Sequence, residues 1–388
     1  MARGAWVLLK KIKSRGLFWF FARLLTESHR PVSKSIKIGK PFIQLFYWMC
    51  VRPLNQLRWV RLKSQVLSKD RLYLFYDLEV SPVTYDFAWA LAIADYERRR
   101  LGLSGVHVIF VPGKNHGLRE EDPEYEEKVD WFARYWRRHA ILYSLSELLP
   151  HCTGVTFYSS RDEACLLCEQ VRPHVFPKQY SVLFPVAHSS YQALTEALSL
   201  MFLQPTQQAR RYIEQWLSSS AVKGRKVVTI TLRQSSYMPA RNSDIHAWAH
   251  FASRLDPQRY FVVFVPDTEK ALEPTPSELT PFVYFTEPCW NVGLRAALYD
   301  ASFINLGVNN GPMILCWLNE QCRYITFKMK AAGVPQTTDA AFRTHGFEIG
   351  KSLPFAKPYQ KWVWEDDRED VIQKEFHNLC NLIQNSLS

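Results

Sequence analysis

The stretch TITLRQSSYMPARNSDIHAW, residues 229–248, brings together residue types that bind oxyanions. An apolar β-type run ends at Arg233, a polar loop holds Arg241, and an Asn-Ser-Asp cluster opens an amphipathic run. Guanidinium groups pair bidentately with phosphates, and free N–H groups at a helix start add positive potential. Asn242 or Ser243 is a suitable helix cap, and Ile245, Trp248, Ala249, Ala252 and Leu255 keep one apolar face behind it. The alternative is that both arginines pair with Asp244 and surface acids while the cap serves the helix alone. A second stretch, FINLGVNNGPMILCWLN, runs from a buried strand through Asn309-Asn310-Gly311-Pro312 into a helix with Pro312 in its first turn. Gly311 permits close backbone approach, and the two asparagines offer amides to hydroxyls or phosphates. Such a strand-turn-helix also serves structure alone.

These corners need a frame to place them. From residue 71 the chain alternates strand-like and helix-like runs. RLYLFYDLEV, GVHVIFVPG and GVTFYSS read as strands; TYDFAWALAIADYERRRLG, with Thr84 as cap, and EYEEKVDWFARYWRRHAILYSLSELL read as single helices. A helical stretch ends in PTQQARRYIEQWLSSSAVKG, opened by Pro205, and the rhythm restarts. RKVVTITLR, YFVVFVP, FINLGV and RYITFKM are strands; SDIHAWAHFASRL, NVGLRAALYDA and GPMILCWLN are helices; WEDDREDVIQKEFHNLCNLIQ is a terminal helix. The expectation is an α/β chain of two Rossmann-like domains, each with its own core, facing a cleft where ligands sit at the carboxyl ends of strands. Its predicted segments are 1–70 basic and aromatic, 71–202 first domain, 203–225 helical linker, 226–350 second domain and 351–388 C-terminal helical segment.

The net charge of +11 is not spread evenly: residues 1–71 carry +14 and the remainder −3. In that first fifth, cations alternate with Trp, Phe, Leu and Tyr, as in a segment lying at an anionic lipid interface. Its longest uncharged apolar run, from Pro41 to Val51, is about half of the ~20 residues that span a bilayer. Lysines interrupt any signal-peptide core, and nucleic-acid binding lacks an accompanying motif. The eight cysteines are scattered; Cys165 and Cys168 enclose two leucines with no second pair at zinc spacing, which reads as buried thiols in a reducing cytosol. There is no Asp-x-Asp, nucleophile elbow, G-x-G-x-x-G or Walker motif, so no metal and no cofactor is expected.

The two halves joined by a helical linker, with Asn-Asn-Gly-Pro late in the second, resemble GT-B glycosyltransferases. The turn is similar to the Asp-Ser/Thr-Gly-Pro turn of heptosyltransferase-like families, with Asn309 standing where they have Asp and Ile314 where they usually have His. LRQSSYMPARNSDIHAW resembles the Arg-x-Ser-x-Tyr and Arg-Asn-x-Asp block of bacterial surface-carbohydrate transferases of unassigned specificity, and VWEDDREDVI is like their terminal segment. The resemblance covers about residues 71–375. It implies donor contacts from Arg233, Ser235, Tyr237, Arg241, Asn242, Ser243, Asn309, Asn310, Gly311 and Pro312. It also implies a base from the first half to take a hydroxyl proton; Asp77 and Glu79 at the end of the first strand, and Asp86 and His116 on nearby loops, are the candidates.

The expected function is metal-independent transfer of a sugar from a nucleotide-diphosphate sugar, the donor substrate, to a lipid-linked or cell-surface glycan acceptor. The expected location is the cytoplasmic inner face of a membrane, held peripherally through residues 1–70, with no nucleic-acid partner. A nucleotide-sugar epimerase of the same architecture and a catalytically silent membrane scaffold are the alternatives.

Overall fold

The computed structural model describes residues 68–183, 185, 202–219 and 222–385. The basic segment expected over residues 1–70 lies almost wholly outside them, and with it the predicted membrane contact. Residues 69–388 form one compact unit.

Two parallel sheets organise that unit. The first has the order β3-β2-β1-β4, from β1 (Arg71–Asp77), β2 (Gly105–Val111), β3 (Cys152–Phe157) and β4 (Val175–Phe176). The second has the order β10-β9-β8-β5-β6-β7, from β5 (Lys226–Thr231), β6 (Tyr260–Val265), β7 (Val283–Tyr284), β8 (Ile304–Val308), β9 (Tyr324–Phe327) and β10 (Gln360–Trp362). Every named pairing is parallel. Leu72 to Asp77 and Tyr260 to Val265 are buried without interruption, as strands covered on both faces must be. The α/β expectation of two Rossmann-like units therefore stands.

The helices that matter for the site are α1 (Phe87–Arg100), α2 (Trp131–Arg137), α3 (Arg161–Gln170), α4 (Gln207–Ser219), α5 (Ile245–Ser253), α6 (Val292–Ala301), α7 (Ile314–Trp317) and α8 (Glu369–Asn385). The stretch read as one long helix over Glu124–Leu149 is broken. Asp122 caps a short helix over Pro123–Lys128, and Asp130 accepts the Ala133 N–H at 2.8 Å to start α2, which passes into a π-helical turn over Arg138–Tyr143. A carboxylate placed to cap ends one helix by beginning the next. The segment expected as a linker helix joins the second half: Ala209 and Ile213 of α4 are buried with Val227, Phe261 and Leu298.

The halves do not have wholly separate cores. The core of the first half, built on α1 and β1 to β3, continues into Val292, Ala296 and Tyr299 of α6 and into Met313 to Leu318 around α7. Trp89 of α1 meets Trp317 at 6.4 Å and Phe347 at 6.2 Å between ring centroids. A shared apolar core fixes how the two sheet edges face each other, because separating them would expose that surface to water.

Candidate functional site

In the second sheet β5 pairs with β6 on one side and β8 on the other, in register Val228↔Ile304 to Thr231↔Gly307, so the strand order reverses between β5 and β8. Connections leave toward opposite faces at such a point and a crevice opens outside the carboxyl ends. Both stretches singled out in the sequence depart here. The structure joins them directly: Arg241 Nη2 donates to the Asn309 carbonyl at 2.9 Å.

Most of the polar residues after β5 build the loop rather than present themselves to a ligand. Arg233 is buried, and its guanidinium donates to the carbonyls of Met238 (2.9 Å) and Tyr237 (2.5 Å) and to Asn242 Oδ1. Burial and then the neighbouring Arg241 cation pull its pKa down to about 10, which leaves it charged near neutrality. Ser243 Oγ accepts the Arg233 N–H at 2.9 Å, and the Asn242 amide spans both backbone groups of Ser235. Ser235 Oγ donates to Glu269 at 2.6 Å. Tyr237 reaches across the halves, its ring edge-on to Tyr125 at 4.9 Å.

The start of α5 differs from the expectation in its cap. The cap is Asp244, not Asn242 or Ser243; it accepts the Ala247 N–H at 3.1 Å. Asp367 accepts both the Asp244 N–H and the Trp248 indole N–H at 2.8 Å. Two of the protein's own carboxylates take N–H groups at that helix end, and Lys328 pairs with Asp367 at 3.5 Å.

Arg241 is the arginine that remains. It is half-buried, and its Nε is a buried donor with no hydrogen-bond partner. Burial lowers its pKa, while the Asp86 carboxylate of the first half works against that shift. Beside it, Asn309 is committed to Phe327 and Met329, and Asn310 caps the turn by accepting the Met313 N–H at 3.2 Å. Pro312 lies in the first turn, one residue after Gly311. Gly311 is required sterically: a Cβ there would stand 2.9–3.3 Å from the Tyr85 side chain of the first half.

Of the four candidate bases, Asp86 is the one whose charge acts on Arg241. Asp77 is buried at the end of β1, held by Arg161 through both oxygens (2.8 and 2.9 Å), by the Tyr180 hydroxyl (2.6 Å) and by the Glu79 N–H (2.9 Å). Its lone pairs are spent on a buried ion pair, so it anchors α3 to β1 and has no room for a substrate proton. Replacing Asp77 by Ala leaves Arg161 without its bidentate partner; we expect a loss of about 3–5 kcal/mol of stability in urea unfolding, and an unchanged midpoint contradicts the anchoring role. Glu79 pairs with Lys114 at 2.6 Å and lies 3.7 Å from Arg161. His116, exposed and at φ 50°, stacks on Trp131 at 5.1 Å. Asp86 is exposed at the start of α1 and takes the Thr84 hydroxyl hydrogen at 2.9 Å; burial lowers the pKa values of Arg241 and His345, and the Asp86 carboxylate opposes both shifts.

Sequence reasoning missed Tyr85, which packs on Gly311, and Arg137 and His345, which interact electrostatically with Tyr85 and Asp86. Arg137 donates to the Tyr125 hydroxyl at 2.9 Å, and its charge acts on Tyr85 and Glu269. None stands in a motif, and only the packing of the halves brings them here. Trp131, Phe132, Tyr135 and Trp136 of α2 turn outward, with Phe132 67% exposed, while Arg134 of the same helix is buried on Glu126. Cys168 is a buried thiol pushed up to about 11, chiefly by burial. Among the described residues, no group of three or more His, Cys, Asp or Glu side chains is placed to hold a metal ion, and no helix is long and apolar enough to cross a membrane.

No family model matches the chain, and no curated protein matches it in sequence. Solved structures do align with it. A family 9 glycosyl transferase from Veillonella parvula aligns at 11% identity over 81% of this chain and 97% of its own, with a TM-score of 0.48. The ADP-heptose lipopolysaccharide heptosyltransferase II of E. coli gives 10% identity, 81% and 99% coverage and a TM-score of 0.47. The wall teichoic acid polymerase TagF gives 10% identity, 86% and 88% coverage and a TM-score of 0.31.

Proposed function

We propose that the chain is a GT-B-like glycosyltransferase that uses a nucleotide-diphosphate sugar. The observation that carries this reading is Arg241: a cation with a buried, unpartnered Nε, at the strand-order reversal, on which the Asp86 charge of the other half acts. In the proposed reaction the bond between the anomeric carbon and the diphosphate oxygen breaks as the acceptor hydroxyl oxygen bonds to that carbon. Asp86 accepts the hydroxyl proton, and Arg241 stabilises the charge that builds on the departing diphosphate. The protein's own cations supply this stabilisation, so the transfer is proposed as metal-independent. Asn309, Asn310, Gly311 and Pro312 shape the donor floor, and Arg233, Asn242 and Ser243 hold the loop that carries Arg241. Ser235 and Tyr237 border the donor side.

The acceptor is proposed to be a lipid-linked or cell-surface glycan. The outward aromatic face of α2, beside His116 on the first-half wall, and the basic aromatic composition of residues 1–70 support an enzyme working at the inner face of an anionic membrane. A panel of nucleotide sugars in a thermal-shift assay tests the donor: at least one raises the melting temperature, and a panel without effect rejects the reading. For the membrane, the intact chain floats with anionic vesicles and a chain lacking residues 1–70 does not; equal flotation rejects the anchor.

A further inference from the structure

A cavity of about 520 Å³ opens at the opposite end of the second sheet from the cleft. Ser302 and Arg323 on its wall come before β8 and β9, whereas the Asn309 to Gly311 corner follows β8. The 5 residues of β8 separate the two places by about 17 Å, at about 3.3 Å per residue. Phe202 to Gln204, where the chain crosses from the first half to the second, also line it. The N–H groups of Phe202 and Leu203 both donate to the Leu318 carbonyl at 2.9 Å, and that of Gln204 donates to the Leu148 carbonyl at 3.0 Å. This wall is fixed before any ligand arrives, so binding orders little of it.

The polar groups around the cavity are unequally spent. Asp300 accepts from Arg210 through one oxygen (2.5 Å) and from Asn319 through the other (3.0 Å), and Glu320 pairs with Lys357 at 2.9 Å. Arg323 has no such partner. Among the described residues its guanidinium makes no hydrogen bond or ion pair; it lies over the Phe303 ring, 5.9 Å from the centroid. The side-chain amides of Gln204 and Gln321 are likewise uncommitted. The carboxylates are neutralised, and a cation and two amides are left over.

We propose that this cavity binds a small phosphorylated sugar, at a site separate from the cleft. Arg323 takes the phosphate through its planar fork, and the Gln204 and Gln321 amides, each both donor and acceptor, take the hydroxyls. The volume lies in the range of small-molecule sites, and the amide and guanidinium lining favours a hydrophilic ligand over an apolar one. The site stands whether or not the cleft transfers a sugar.

Calorimetry on the intact protein tests the site, with glucose 6-phosphate, glucose 1-phosphate, inorganic phosphate and glucose as probes. At least one sugar phosphate should bind, and more tightly than phosphate or glucose. No binding of either sugar phosphate, or binding of phosphate or glucose that is as tight, overturns the proposal. Arg323→Ala should weaken the sugar phosphate about 10- to 100-fold, the worth of a charge-assisted contact. Should that variant fail to fold, Gln321→Glu decides: it is an exposed change that puts a carboxylate beside the phosphate, and it should weaken binding as well. Wild-type affinity in the variant that folds overturns the proposal. Arg241→Ala separates this site from the cleft. Unchanged sugar-phosphate affinity there supports two sites, while its loss places the ligand in the cleft, sinks the inference and leaves the donor reading. The donor reading fails by itself if no nucleotide sugar binds while the sugar phosphate still does.

Discussion

Replacing Asp86 by Asn is expected to lower kcat about 100- to 10,000-fold, the range that a positioned general base contributes. The amide keeps the shape but cannot take the acceptor's proton. Because Asp86 is exposed and its side-chain contact is to Thr84, the substitution should move folding stability by no more than about 0.5 kcal/mol. A rate loss with an unchanged unfolding transition is the signature expected. Undiminished turnover of donor and acceptor would return the base to Glu79 or His116.

Arg241→Ala is expected to produce the second large effect. The guanidinium already spends Nη2 on the Asn309 carbonyl, which aims the remaining donors, and its Nε is buried with no partner. Removing a preorganised cation from a partly desolvated site costs about 100- to 1,000-fold in kcat. Arg241→Lys should recover only part of this, because a point charge lacks the planar fork that matches a phosphate. Arg233→Ala should instead unravel the 233–243 loop, since three acceptors lose their donor at once. Equal effects of the Arg233 and Arg241 variants on kcat at unchanged stability contradict the division of roles.

The strands were readable where they are long and wholly buried. Runs such as RLYLFYD and YFVVFV are apolar throughout because both faces are covered. β4, β7 and β10 have two or three residues each, too few to show any period, so they escaped. The arginine-bearing loop and the Asn-Asn-Gly-Pro turn were recognisable as corners of one half. Which arginine keeps an unpartnered donor was not, because it depends on carbonyls of the loop capturing Arg233 first. Asp77 is the plainest case. Its strand-end position matches that of a base, but its partners Arg161 and Tyr180 lie 84 and 103 residues away, and no local pattern announces such a pairing. Tyr85 over Gly311 is likewise a contact between halves, visible only once α1 packs on α7 through the shared core.

The central claim is that the cleft transfers a sugar and releases the nucleoside diphosphate, and the most direct measurement is mass spectrometry of the nucleotide products after incubation with a stabilising nucleotide sugar and a glycan acceptor. The account predicts nucleoside diphosphate and a lengthened acceptor from the wild-type protein, and neither at a comparable rate from Asp86→Asn or Arg241→Ala. An isomerised nucleotide sugar with the diphosphate bond intact, or no turnover of any donor that binds, contradicts it.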